Sequence, residues 1–202
     1  AYIAMEYLKG GDLAPFTKPD HLLPLPQVVS IVARVADALA YAHGNNVVHR
    51  DVKPANVMYD PALDQVKVMD FGVARLTDAS RTKTGMVLGT PSYMSPEQLT
   101  GKKVDGRSDL FSLGVTLYQM ACGRLPFIGD SMARLMRKIA SEPCPDVRLV
   151  NPQVPQALAA VIERALRKDK AHRYASGNDM ASDLRACLGP EPVRRAEADV
   201  LL

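Results

Sequence analysis

The stretch Leu110 to Cys122 constrains the fold more than any other part of the chain. It is the longest apolar run, broken only by Ser112, Gly114, Thr116 and Gln119. From Asp105 to Met120 the pattern is apolar nearly all round after Asp109. A helix with no face left for water must be buried by other elements. The run is also shorter than the roughly 18–20 apolar residues of a bilayer span. A central core helix inside a mainly α-helical domain is therefore predicted, with Gly123 as its cap.

The flanking segments supply the cover. Pro24-Leu25-Pro26 opens a helix with apolar residues at Val28, Ile31, Val32, Val35, Leu39 and Ala42, the spacing of one helical face. Gly44-Asn45-Asn46 is predicted to end it through glycine's access to positive φ. Ser131 to Ile139, Gln156 to Arg167 and Ser176 to Leu188 read as amphipathic helices between Pro- and Gly-containing breaks. Short strand-like pieces occur at Ala1–Met5, Val47-Val48, Val57-Met58-Tyr59 and Val66–Met69, with Asp60-Pro61 and Asp64 offering turn chemistry for a hairpin between the last two. Lys9-Gly10-Gly11-Asp12 breaks the first piece, and Gly189-Pro190-Glu191-Pro192 stops the last helix. From Asp70 to Pro96 periodicity vanishes; a loop of this length inside a compact domain is usually functional.

Composition narrows the function classes. A 202-residue chain with 47% hydrophobic residues can bury one sizeable core. A formal charge of +3 with scattered basic residues gives no footprint for nucleic acid. Cys122, Cys144 and Cys187 lie far apart without metal-ligand spacing and are expected to be reduced and inert. His21, His43 and His172 show no convergent partners in sequence and are expected at the surface or as caps. The opening residues lack the basic region of a secretory leader, and Arg194-Arg195 is too small a cluster for a lipid-binding patch.

Chemistry is concentrated in His49-Arg50-Asp51-Val52-Lys53-Pro54-Ala55-Asn56, followed after the hairpin by Asp70-Phe71-Gly72. Two carboxylates, a lysine and a carboxamide sit on short loops at strand ends. Phosphoryl transfer wants such a set: oxygen ligands for Mg²⁺, a carboxylate to orient the attacking hydroxyl, and a cation for the phosphoryl oxygens.

These residues resemble the catalytic loop and metal-binding motif of protein kinases. The likeness continues through Gly89-Thr90-Pro91-Ser92-Tyr93-Met94-Ser95-Pro96-Glu97, similar to the end of the kinase activation segment, with Ser95 in place of the more usual alanine, as is common in the bacterial branch. It covers about Tyr2 to Leu188. The chain is thus identified as resembling the C-terminal lobe of a eukaryotic-like (bacterial Hanks-type) Ser/Thr protein kinase: a mainly α fold with short β-hairpins. The implied divisions are an inter-lobe hinge at 1–12, the lobe at 13–188 and a tail or linker at 189–202.

The resemblance implies roles residue by residue. Asp51 would take or orient the proton of the substrate hydroxyl. Lys53, the mark of Ser/Thr kinases, would reach the γ-phosphate of ATP. Asn56 and Asp70 would ligate Mg²⁺, with Mn²⁺ as an alternative, and Thr90 would tie the substrate-docking loop to Asp51 and Lys53. In the hinge, backbone groups at Glu6 and Leu8 would pair with adenine, Met5 would be the gatekeeper, Asp12 would approach the ribose, and Met58 would form the adenine floor. Asp109 would hold the catalytic-loop backbone, Glu97 and Arg173 would form a buried ion pair, and His49 and Phe71 would pack together. Thr82 and Thr84 resemble paired activation-loop threonines whose phosphates would engage Arg50.

The small lobe of a kinase supplies a Gly-rich loop, a strand lysine and a helix glutamate, and no Gly-x-Gly-x-x-Gly or Val-Ala-Ile-Lys occurs here. Two readings follow. The chain is either part of a working kinase that needs that lobe for activity, or a non-catalytic binding or scaffold module. The intact set Asp51, Lys53, Asn56 and Asp70 favours the first. The segment from Gly89 to Glu97 favours protein substrates bearing Ser or Thr over small molecules. Expected partners are ATP and such proteins, with self-association through the exposed lobe surface. No membrane segment is expected in the chain, and the expected location is cytoplasmic, compatible with an anchor in a longer parent.

Overall fold

The computed structural model of the chain describes residues 8–71 and 91–188. In chain order the elements are β1 (Gly11–Asp12), α1 (Leu25–Gly44), β2 (Val57–Asp60), β3 (Gln65–Val68), α2 (Pro96–Leu99), α3 (Gly106–Cys122), α4 (Met132–Ser141), α5 (Gln156–Ala165) and α6 (Gly177–Ala186), linked in places by short 3₁₀ turns. The strands form one antiparallel sheet in the order β1-β2-β3. The architecture is the helix-rich, hairpin-bearing lobe predicted from the pattern.

Helix α3 is the buried centre. Asp105 caps its start by accepting the Arg107 N–H, and Gly123, at φ 74°, ends it in the left-handed conformation that suits a residue without Cβ. Leu110, Phe111, Leu113, Val115 and Leu117 are fully sequestered; burying each larger one contributes roughly 1.5–3 kcal/mol. Its interior hydroxyls are satisfied locally, Ser112 donating to the Ser108 carbonyl (3.2 Å) and Thr116 to that of Ser112 (3.1 Å). Helix α5 approaches so closely that a Cβ on Gly114 would lie 2.8 Å from the Ala165 Cβ.

Helix α1 packs its apolar face against α3 and α6. It is longer than the Leu110–Cys122 run and, by length and composition alone, apolar enough to cross a bilayer. Its Val28, Ile31, Val32, Val35, Ala36 and Leu39 are nevertheless buried in the protein core, so its apolarity has a packing explanation. Its end differs from the sequence expectation. Gly44 stays helical, and Asn46 adopts the positive φ (60°); asparagine tolerates the left-handed region because its short polar side chain can bond locally. Val47 and Val48 form no strand, because the Val47 N–H turns back to the Ala42 carbonyl (2.9 Å) and finishes the helix.

The sheet packs on α1 through β3. Strands β2 and β3 make the expected hairpin, with Asp60 Oδ1 accepting the Ala62 N–H and Asp64 at φ 46°. Gly10, at φ 90°, lies so near β2 that a Cβ would sit 2.3 Å from the Tyr59 carbonyl oxygen.

Candidate active site

The loop between α1 and β2 is held from below by one carboxylate. Asp109, in the first turn of α3 and 1% exposed, accepts the His49 N–H at Oδ2 (2.9 Å) and the Arg50 N–H at Oδ1 (2.7 Å). His43, at the end of α1, also bonds Asp109 Oδ2 through Nε2 (2.7 Å). The expectation that His43 has no convergent partner is corrected: its partner is 66 residues away and only the packing of α1 on α3 brings the two together. His172 stands near Asp169 on the surface, at 3.5 Å.

His49 itself is fully buried and orders the loop. Its Nε2 donates to the Met69 carbonyl (2.7 Å), so Nδ1 is left as the acceptor for the Asp51 N–H (3.3 Å). The Met69 N–H in turn donates to the Asn56 carbonyl (2.9 Å). Met69 is thereby fixed on both sides, which sets Asp70 beside the Asn56 loop. The ring of Phe71 lies against that of His49, with centroids 4.7 Å apart, and remains 38% exposed.

The reactive end follows from these anchors. Asp51 Oδ2 accepts Lys53 Nζ (2.7 Å) and Asn56 Nδ2 (3.0 Å), and Nδ2 also donates to the Asp51 carbonyl (2.8 Å). Both donors converge on one oxygen, and Asp51 Oδ1 accepts no bond from the described residues. Asp51 is half-exposed at its side chain, so that oxygen can meet a hydroxyl from solvent. Two residues here hold positive φ without being glycine, Arg50 at 70° and Asp70 at 60°. Such backbone costs on the order of 1–3 kcal/mol and persists where surrounding bonds over-determine it.

Asn56 keeps its side-chain oxygen clear of Asp51, and Asp70 is exposed at the next loop. A carboxylate and an amide oxygen form a hard donor pair. They suit a divalent cation that draws its remaining ligands from water and phosphate, rather than a cage made wholly of protein. Among the described residues no cluster of three or more His, Cys, Asp or Glu could form such a cage.

Of the predicted nucleotide-facing residues, two meet on the sheet. Asp12 is the cross-strand partner of Met58. One Asp12 oxygen accepts the Ala14 N–H (2.8 Å) and shapes the turn after β1. Leu8 is half-buried ahead of the strand. Met5, Glu6, Thr82, Thr84 and Thr90 lie outside the described residues.

Behind the loop, α2 is anchored by a bidentate pair. Arg173 donates to Glu97 Oε1 (2.7 Å) and Oε2 (2.9 Å), and its other guanidinium hydrogens reach the carbonyls of Arg167, Lys168 and Arg107. All five donors are used. Burial pushes the Glu97 carboxyl upward, but Arg173 and Ser108 outweigh it and hold it down at about 2. Tyr93 donates to Gln119 (2.6 Å), and burial raises its phenol. Burial likewise raises all three thiols, Cys144 to about 12, as inert cysteines require.

Sequence reasoning missed two contributors. His43 carried no local signal. Gln98 did: Ser95 and Gln98 form a capping box on α2, a spacing readable in sequence. Gln98 also donates from Nε2 to the Arg50 carbonyl (2.7 Å), which no local pattern shows.

A helix-rich lobe with an antiparallel hairpin, carrying Asp51, Lys53 and Asn56 on one anchored loop, is the class of structure the fold and site define. The chain belongs to the protein kinase domain family, which it matches over residues 1–184. It is similar to the serine/threonine-protein kinase pkn3 of Myxococcus xanthus, 43% identical over 195 residues, covering 92% of this chain and 36% of that protein. PknB of Mycobacterium leprae is 42% identical over 186 residues (91% and 30%), and PrkC of Bacillus subtilis 37% over 188 (93% and 29%). The chain therefore spans about a third of the length of these relatives.

Proposed function

We propose that this chain is the catalytic lobe of a bacterial Ser/Thr protein kinase that transfers the γ-phosphoryl group of ATP to hydroxyls of protein substrates. The observation that carries the reading is the state of Asp51: on a half-exposed side chain, one oxygen is held by Lys53 and Asn56 and the other accepts no bond from the described residues. A substrate hydroxyl would donate its hydrogen bond to Oδ1. As its oxygen forms the new bond to the γ-phosphorus, the bond to the β-phosphate oxygen breaks, ADP leaves, and the hydroxyl proton passes to Asp51. Lys53 offsets charge on the phosphoryl oxygens while keeping Asp51 in place. A divalent cation, Mg²⁺ or Mn²⁺, held by Asn56 and Asp70 would neutralise the phosphates. Thr90 would tie the docking loop to Asp51 and Lys53.

Adenine would lie over Met58, with the hinge backbone at Glu6 and Leu8 as its edge partner, Met5 as gatekeeper, and Asp12 near the ribose. The pairing of Asp12 with Met58 across the sheet supports this placement. Phosphorylation of Thr82, Thr84 or both would switch activity on; a double Thr→Ala variant with undiminished activity would end that idea. The catalytic face belongs on the cytoplasmic side, where ATP is available. Phe71, 38% exposed against His49, offers apolar surface open to association.

Nucleotide binding separates these roles. With the full-length gene product, Asp70→Asn should weaken Mg²⁺·ATP binding at least tenfold by calorimetric titration. Asp51→Asn should leave it within about threefold, because that residue faces the hydroxyl. Equal losses in both variants, or none in Asp70→Asn, would contradict the assignment.

A further inference from the structure

We propose that Gln98 is a positioning residue that locks the Arg50–Asp51 peptide, making the end of the substrate-facing segment and the catalytic carboxylate one mechanical unit. The proposal rests on the reading of Asp51 as the residue that meets the substrate hydroxyl.

The peptide that carries Asp51 begins at a residue in the left-handed region, Arg50 at φ 70°. Without other restraints such a residue relaxes, and relaxation here rotates the following peptide and swings Asp51 away. The N–H of Arg50 is fixed by Asp109 at 2.7 Å. The N–H of Asp51 makes a longer bond to His49 Nδ1, 3.3 Å. What remains is the Arg50 carbonyl, and the bond it accepts from Gln98 Nε2 is short, at 2.7 Å. That bond spans 48 residues and comes from a different element than the Asp109 anchor, α2 rather than α3.

The Gln98 amide is not free to choose its orientation. Its Oε1 accepts both the Ser95 N–H (2.9 Å) and the Ser95 hydroxyl (3.0 Å), so Nε2 must face Arg50. Rotating the amide by half a turn would put donor against donor at Ser95 and oxygen against oxygen at Arg50. Ser95 itself is buried, and the neighbouring Glu97 is held by Arg173. The anchor at the far end of Gln98 is therefore rigid. The side chain acts as a strut from the α2 cap to the strained peptide of the catalytic loop.

Residue type matters at this position in a way that separates positioning from stability. Glutamate completes a capping box as well as glutamine, so Gln98→Glu keeps the helix start. It replaces the donor to Arg50 with a second acceptor facing a carbonyl oxygen. Methionine has a similar length and loses all three side-chain bonds, the two from Ser95 and the one to Arg50.

The test compares wild type, Gln98→Glu and Gln98→Met in the full-length gene product. Melting temperature, kcat, KM for ATP and hydrogen exchange at the Asp51 amide are read for each. The expected result for Gln98→Glu is a melting temperature within about 2 °C of wild type and KM for ATP within twofold. Its kcat should be at least tenfold lower and exchange at Asp51 at least tenfold faster. Gln98→Met should lose both melting temperature and kcat. Wild-type kcat and exchange in Gln98→Glu would overturn the proposal, as would losses that merely follow melting temperature across the variants. If the wild-type protein transfers no phosphate, the kinase reading fails by itself. The exchange measurement then still decides whether Gln98 holds the peptide: unchanged Asp51 protection refutes it.

Discussion

Replacing Glu97 by glutamine tests the energetics that hold the lobe's lower half together. In the native protein the carboxylate meets Arg173 in two parallel bonds of 2.7 and 2.9 Å with almost no solvent access. The depression of its pKa from the ordinary 4.5 to about 2 measures how much the fold prefers the charged form. At roughly 1.4 kcal/mol per pH unit this amounts to about 3 kcal/mol, in line with the 3–5 kcal/mol typical when one partner of a buried pair is removed. Because the folded-state pKa lies below the unfolded one, that stabilisation is present above pH 4.5 and fades as pH falls toward 2. Urea unfolding followed by circular dichroism at pH 7, 5, 4 and 3 should show that Glu97→Gln costs about 3 kcal/mol at neutral pH, with the difference from wild type shrinking below pH 4.5. A difference below 1 kcal/mol at pH 7, or one that does not change with pH, would refute the reasoning.

Other expectations can be checked on the same chain. Gly177→Ala should destabilise by about 1–3 kcal/mol, since a Cβ there would lie 2.2 Å from the Ala36 carbonyl oxygen. Gly44→Ala should instead be neutral or stabilising by up to about 1 kcal/mol, because the residue is helical and its Cβ would meet nothing within 4 Å; thermal melts of the two variants settle the contrast. Asp109→Asn loses one of the acceptors shared by His43, His49 and Arg50. It should speed hydrogen exchange at the Arg50 amide at least tenfold and cost about 2 kcal/mol or more.

What the sequence revealed and what it hid divide along physical lines. Helices α1, α3, α4, α5 and α6 announced themselves because burial of one face, or of all faces in α3, writes a period into the chain. The hairpin showed through Asp60-Pro61 and Asp64. Val47-Val48 misled because β-branched residues suit a strand, whereas the Val47 N–H was needed to close α1. Gly44 misled because the position requiring positive φ fell on Asn46. In the site, Asp51, Lys53 and Asn56 lie within six residues, so their convergence follows from one loop. The contacts His43–Asp109 and Gln98–Arg50 span 66 and 48 residues. They depend on how α1 meets α3 and where α2 is capped, information that exists only once the chain is packed.

Phosphoryl transfer from γ-labelled ATP is the measurement that bears most directly on the central claim. The full-length gene product, its Asp51→Asn variant and the 202-residue chain would be compared for label incorporated into themselves and into a Ser/Thr-bearing protein. The account predicts transfer by the full-length protein, loss of at least a thousandfold in Asp51→Asn, and little or none by the 202-residue chain alone. A full-length protein that transfers nothing while still binding a partner, or an Asp51→Asn variant as active as wild type, would contradict it and leave the lobe as a binding module.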